Sequence, residues 1–213
     1  MQNTFSISEA LKFGWETFKK DPWFYVGVTL ALSVFTMIVN WLTGHGAGFF
    51  ALIGWLIGLC ASTVVTIAYA RLALSANAGA HVGWEGLWEP KHFWRMLGAT
   101  ILQGIIIVVG FILLIIPGII AALLLCFTQL SVVDKMLNPI DALKHSFTMA
   151  KGHLLQLFLF MLCLVLLNIV GAILLLVGLL VTVPVTLIAV AHVYRKVEAL
   201  QGAPMAPAVT DTH

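Results

Sequence analysis

"NPIDALKHSFTMAKGH", residues 138–153, carries Asp141, Lys144 and Lys151, and no Asp, Glu, Lys or Arg follows it until Arg195. Such an isolated charged segment makes sense only in a chain that is elsewhere covered by something other than water. Of the 213 residues, 61% are hydrophobic and 9% charged, against about 25% charged in soluble domains. The mean hydropathy of +1.05 agrees. Too little polar surface exists to cover a water-exposed core, which places the chain in the membrane class. The net charge of +2 is too small to argue for nucleic acid as a partner.

A membrane-crossing helix needs about 20 largely apolar residues. Runs of this kind lie at 22–42, 49–70, 93–116, 117–133, 154–169 and 172–194. The third and fourth form one run broken at Ile116-Pro117-Gly118, where proline lacks a donor and disfavours helix before it. The fifth and sixth form another, with Gly171 and Gly178 near its middle. The expected fold is all-α: six transmembrane helices in three hairpins, with amphipathic interfacial helices on one side. Ten of the eleven Lys and Arg residues fall before the first span, between even and odd spans, or after the sixth, and Arg95 lies within the first turn of the third, on that same side. Basic loops stay in the cytoplasm. Both termini and both long basic loops are therefore expected on the cytoplasmic side of the membrane. The segment "MQNTFSISEALKFGWETFKKD" has no short apolar stretch ending in a small-residue cleavage site, so no cleaved signal peptide is expected.

The opening segment has a counterpart. "SISEALKFGWETFKKD" (6–21) aligns with it without gaps: Ser6 with Asn138, Glu9 with Asp141, Ala10-Leu11-Lys12 with Ala142-Leu143-Lys144, Trp15 with Phe147, Lys19 with Lys151. Ser6 and Asn138 are preferred N-cap residue types, each followed by an acid in the first turn, and Pro139 suits the N1 position. Ile140, Leu143, Phe147, Ala150 and Leu154 give one apolar stripe at helical spacing, with Asp141, Lys144, Thr148 and Lys151 away from it. "AYARL" (68–72) and "AHVYRK" (191–196) close the second and sixth spans alike, and "VGFILLIIP" (109–117) echoes "VGLLVTVP" (177–184). "GWEGLWEPKHFW" (83–94) reads as a degenerate third interfacial helix, with Leu87 and Lys91 spaced like Trp15 and Lys19. One membrane domain over residues 1–201 is expected, with repeat units near 6–74, 83–133 and 138–197, and a disordered tail at 202–213.

Over 110–153, a Pro-Gly-Ile within an apolar run, then Val-Val-Asp, Pro-Ile-Asp-Ala-Leu-Lys-x-Ser and Lys-Gly-His resembles the YciC-like family of bacterial integral membrane proteins. That family is related to the membrane domain of some glycerophosphodiester phosphodiesterases. The resemblance implies a polytopic inner-membrane protein and carries over no catalytic residues.

Ion-coupled transport usually places ionisable groups inside the bilayer, and the six runs hold none at mid-depth. Gln103, Gln129, Asn168 and Asn40, with the hydroxyls Ser33, Ser62, Thr63, Thr66, Thr128, Thr182 and Thr186, are expected to bond between helices. "GWLIG" (54–58) reads as a close-packing motif. Histidines 45, 81, 92, 145, 153, 192 and 213 lie at interfaces, loops or the tail without metal-ligand spacing, and no cofactor is expected. Cys60, Cys126 and Cys163 are expected as small buried apolar residues. Trp84, Trp88 and Trp94 beside Lys91 and Arg95 suit an interfacial belt. The expected function is non-enzymatic, through membrane lipids, other membrane proteins or a second copy, at Lys12, Lys19, Asp141, Lys144 and Lys151. The alternative is a small permease or lipid-translocating protein with Gln103, Gln129 and Asn168 on its route. The orientation is checked by thiol labelling: an impermeant reagent added outside should modify a cysteine at Gly46 and spare one at Thr148, and the reverse pattern would invert the topology.

Overall fold

The computed structural model describes residues 5–43, 49–79, 87, 90–173 and 177–202. Among these there are only helices and turns. α1 (Ile7–Lys20) and α2 (Pro22–Thr43) precede α3 (Phe49–Asn77). A 3-10 turn (Pro90–His92) leads into α4 (Phe93–Leu113), followed by α5 (Ile115–Leu124) and α6 (Thr128–Lys135). The chain continues through α7 (Pro139–Lys151), α8 (Leu154–Ile173) and α9 (Val177–Gly202). Six helical stretches are long and apolar enough to cross a membrane: Pro22–Thr43, Phe50–Asn77, Pro90–Leu113, Ile115–Lys135, Leu154–Ile173 and Gly178–Gln201. The fourth is discontinuous, being α5 and α6 with a turn between them.

The hairpin turns differ from the sequence expectation. The break between the third and fourth spans falls at Leu114, in extended conformation, and Pro117 lies in the first turn of α5. Proline is tolerated there because the first helical N–H groups have no intrahelical acceptor. Gly171 does not turn the chain but sits in α8, facing Gly178 of α9 across the third hairpin. A Cβ on Gly171 would lie 2.5 Å from the Thr182 hydroxyl, and one on Gly178 would lie 2.8 Å from the Gly171 Cα. In the second hairpin a Cβ on Gly110 would lie 3.0 Å from the Gly118 Cα. In the first, Gly54 approaches the Thr43 carbonyl, which a Cβ would meet at 2.6 Å. Gly58, the second small residue of "GWLIG", touches nothing within 4 Å, so only half of that motif packs inside this chain. The Val-Gly echo is not equivalent in space either: Val109-Gly110 ends α4, whereas Val177-Gly178 begins α9.

Packing concentrates at the end of the bundle that bears the charges. In α4 Met96 and Ala99 are fully buried while Val108, Ile112 and Leu113 are exposed; in α8 Leu157 and Phe160 are buried while Val165, Ile169 and Ile173 are exposed. The far ends of the hairpins thus present continuous apolar surface, which only an apolar surrounding accommodates. α9 is central. It carries buried Ile188, Ala189, Val193, Tyr194 and Val197 and packs against α1, α2, α3 and α8.

α1 and α7 place their aligned residues in like surroundings. Ala10 and Ala142 are buried, as are Gly14 and Ser146, while Trp15 and Phe147 are each 44% exposed. The buried face of α7 is rotated from the expected stripe, comprising Ala142, Leu143, Ser146, Met149 and Ala150, with Ile140 and Phe147 facing outward. The reason is that α7 packs against α4, α5 and α6 instead of meeting a uniform apolar layer. Ser6 caps α1 by accepting the Glu9 N–H at 3.4 Å, whereas Asn138 makes no side-chain cap bond. Of the third interfacial helix, 83–86 and 88–89 lie outside the described residues; Leu87 is buried and Pro90–His92 forms a single 3-10 turn.

The close approach across the third hairpin predicts that Gly171→Ala lowers stability in detergent micelles by about 1–3 kcal/mol through overpacking. Gly58→Ala, in open space, should leave it unchanged or slightly raised. Equal melting temperatures for the two variants would show that the glycine contact contributes nothing.

Candidate functional site

The three polar side chains expected on one route do not meet. The Gln103 amide of α4 donates to the Leu125 carbonyl at 3.1 Å, in the turn that breaks the fourth span. Asn168 donates to Leu164 of its own helix at 2.9 Å. Gln129 lines a cavity of about 250 Å³ between α3, α6 and α9, together with Thr66, Tyr69 and Cys126. Most hydroxyls bond within their own helix: Thr63 to Leu59, Thr66 to Ser62, Ser62 to Leu59 and Thr186 to Val183, all at 2.8–2.9 Å. A short hydroxyl reaches the carbonyl three or four residues back more readily than a neighbouring helix. Bonds between helices come from Gln103, from Asn77, whose amide donates to Ile188 of α9 at 3.1 Å, and from Ser33 of α2, which shares a side-chain hydrogen bond with Tyr69 of α3. Asn77 escaped the sequence reading because it ends α3 outside any apolar run.

The break in the fourth span frees backbone groups that hydrocarbon cannot hydrate. Ser146 of α7 satisfies two of them, accepting the Phe127 N–H at 3.1 Å and donating to the Leu124 carbonyl at 2.9 Å. Ser146 is wholly buried. The break and α7 are therefore one unit.

Below it lies a charged network. Arg195 of α9 grips Asp134 of α6 with both terminal nitrogens, at 2.5 and 3.0 Å, and the Tyr194 hydroxyl donates to the same carboxylate at 3.1 Å. Lys135 pairs with Glu198 at 2.6 Å, and Lys196 pairs with Glu9 of α1. That ammonium holds the Glu9 carboxyl below the usual range. The network ties α1, α6 and α9 at one end, a role that charges 60 or more residues apart did not reveal in sequence.

His145 of α7 joins it. Lys135 lies 3.2 Å from Nε2 and Ser131 Oγ lies 3.0 Å from Nδ1. An ammonium only donates, so Nε2 accepts, and the ring proton sits on Nδ1 and donates to Ser131. Ser131 passes its own proton to the Phe127 carbonyl at 2.9 Å. This polarity leaves the imidazole unable to accept the serine proton, so the pair is not poised as nucleophile and base. Of the other described histidines, His192 stacks on Phe13 with ring centroids 4.2 Å apart, His153 meets Phe5 edge-on, and His92 is buried at the start of α4. Histidines 45, 81 and 213 lie outside the described residues, as do Trp84 and Trp88. The cysteine expectation holds only in part, since Cys60 is exposed and Cys126 and Cys163 are half-buried. Cys60 is tolerated at the exposed surface because a thiol needs no hydrogen-bond partner in apolar surroundings.

The remaining charges point away from the network. Lys12, Lys19, Asp141, Lys144 and Lys151 are exposed. Lys19 rests over the Trp15 ring at 5.1 Å and Lys151 over Phe147 at 6.0 Å, while Lys12 and Glu16 pair loosely at 3.8 Å. Lys144 and Thr148 stand on the rim of a cleft of about 530 Å³ lined by Ile106, Ala121, Leu124, Leu125, Leu143 and Phe147.

Burial and the neighbouring Lys135 lower the His145 pKa below 6.5, so the folded state binds its proton less readily than the unfolded chain. Stability from this group is complete above pH 6.5 and falls as pH drops from there through the lowered folded-state value. Melting temperature should accordingly decline below pH 6.5, and His145→Gln should decline less; parallel curves would remove His145 from the acid response. No protein-family model matches the chain, and neither the curated proteins nor the solved structures compared with it contain a match.

Proposed function

We propose that this chain is a non-enzymatic protein of a bacterial cytoplasmic membrane, with both termini cytoplasmic, acting through contacts with anionic lipid or with another membrane protein. One observation carries the reading: two sets stand apart among the described charges. Asp134, Lys135, Arg195, Lys196, Glu198 and Glu9 bind one another and hold spans together. Lys12, Lys19, Lys144 and Lys151 face outward on α1 and α7, beside the exposed aromatic rings Trp15 and Phe147. Lysines beside aromatic side chains suit the level of lipid head groups, where each basic residue near an anionic surface contributes about 1 kcal/mol. The basic ends of the spans support the cytoplasmic orientation. The resemblance of 110–153 to the YciC-like family supports an inner-membrane home.

A permease or lipid translocator is the second reading, favoured by the cavity beside Gln129, Thr66 and Tyr69. Its weakness is that Gln103 and Asn168 bond elsewhere and leave that cavity with little polar lining from other spans. Reconstitution of the whole chain into phosphatidylethanolamine–phosphatidylglycerol vesicles separates the two. The first reading expects transbilayer movement of a fluorescent lipid at the protein-free rate, with co-purified anionic lipid or a stoichiometric partner. Movement well above that rate would establish the second instead.

A further inference from the structure

The outward face of α7 and the outward face of α1 overlie two clefts with corresponding walls. The first cleft is the one of about 530 Å³ between α4, α5 and α7. The second, of about 210 Å³, lies between α1, α8 and α9 and is lined by Leu11, Trp15, Leu167, Val181, Thr182 and Val185. A shift of 132 residues carries Leu11 and Trp15 onto Leu143 and Phe147. A shift of 61 carries Leu167, Thr182 and Val185 onto Ile106, Ala121 and Leu124. The same two shifts relate the contacts beneath the clefts. Gly14 closes on the Val185 carbonyl as Ser146 closes on that of Leu124, and Phe13 meets His192 as His145 meets Ser131. One docking geometry therefore occurs twice: α7 lies against the hairpin before it, and α1 lies against the last hairpin of the chain.

We propose that the cleft under α7 binds one anionic phospholipid, with an acyl chain along Ile106, Ala121, Leu124 and Phe147 and the phosphate at Lys144. We further propose that Glu16 cancels the same selectivity in the cleft under α1. The proposal rests on the lipid-contact reading above and assigns its site. The wall comes from two membrane-crossing helices (Ile106, Ala121, Leu124, Leu125) and from Leu143 and Phe147 of α7, all apolar, as an acyl chain requires. Lys144 and Thr148 supply a cation and a hydroxyl at the rim, and the larger volume falls within the range of roughly 300–1,000 Å³ common for small-molecule sites. The occupant is fixed as anionic by charge complementarity: the rim carries a lysine and no carboxylate. In the α1 copy the residue matching Thr148 is Glu16, and it stands 3.8 Å from Lys12, the match of Lys144. Glu16 thus sets a carboxylate beside that lysine where the α7 copy has only a threonine hydroxyl.

The test uses the full-length chain extracted from vesicles of equal phosphatidylglycerol and phosphatidylethanolamine, with retained lipids counted by native mass spectrometry. The parent should hold one phosphatidylglycerol in preference to phosphatidylethanolamine. Lys144→Gln, an exposed substitution, should reduce that preference about five-fold, the effect of one lysine at an anionic surface. Glu16→Thr should add a second selectively held phosphatidylglycerol. Glycerol phosphate without acyl chains should compete with neither, and effective competition would reassign the rim to a soluble anion. Unchanged preference in Lys144→Gln overturns the cleft assignment while leaving lipid binding in place. Absence of retained lipid from every form, with no partner co-purifying, overturns the lipid-contact reading as well. A Glu16→Thr variant identical to the parent overturns the cancellation.

Discussion

Hydrocarbon offers no hydrogen bonds, so every backbone group of a spanning segment must find its partner within the protein. This constraint acts most visibly at the turn between α5 and α6. Helical bonding is interrupted there, and Ser146 and Gln103 replace it from two other helices. The segment α7 is therefore more than a surface anchor. Its serine closes the break in the fourth span, which fixes α7 against α4, α5 and α6 and in turn forms the cleft that Lys144 overlooks. At the aligned position in α1, Gly14 achieves contact by having no side chain, letting the helix approach the Val185 carbonyl of an unbroken α9. Two solutions to the same docking problem differ by one hydroxymethyl group.

Charge follows a second division of labour. Salt bridges exposed to water contribute little, roughly 0–1 kcal/mol each. The Asp134–Arg195 pair differs in being bidentate and shared with Tyr194, on a carboxylate side chain only 14% exposed. It joins the ends of α6 and α9 where the bundle is densest. Among the described residues the far ends of the hairpins come together through glycine contacts, consistent with helix association in membranes through small residues and close packing.

Much of the architecture was legible beforehand because membrane solvation is a coarse filter. Six apolar runs of the right length and the gathering of basic residues in alternate connections and at the span ends beside them require no knowledge of contacts. The candidate site was legible only as a set of exposed charges: Lys12, Lys19, Lys144 and Lys151 stand out against their apolar surroundings and do face outward. Asn77, Ser146, Tyr194 and the Asp134–Arg195 pair were not legible as a group. Polar residues near span ends are common, and nothing in their spacing states which partners lie across the bundle. Most of the hydroxyls bond locally, since their own helix supplies the nearest acceptor, while Ser33 does reach Tyr69 of the next helix.

By itself the sequence determined an all-α chain of six long apolar helices, with its charges in alternate connections and two matching amphipathic segments. Those features follow from the cost of transferring each residue into hydrocarbon, which is additive and local. Tertiary structure decided where the chain turns, at Leu114 and not at Pro117, and which face α7 buries. It also decided that Gln103, Gln129 and Asn168 go to three separate places. These outcomes depend on which backbone groups are left without partners once helices pack, a quantity that exists only after the helices have met.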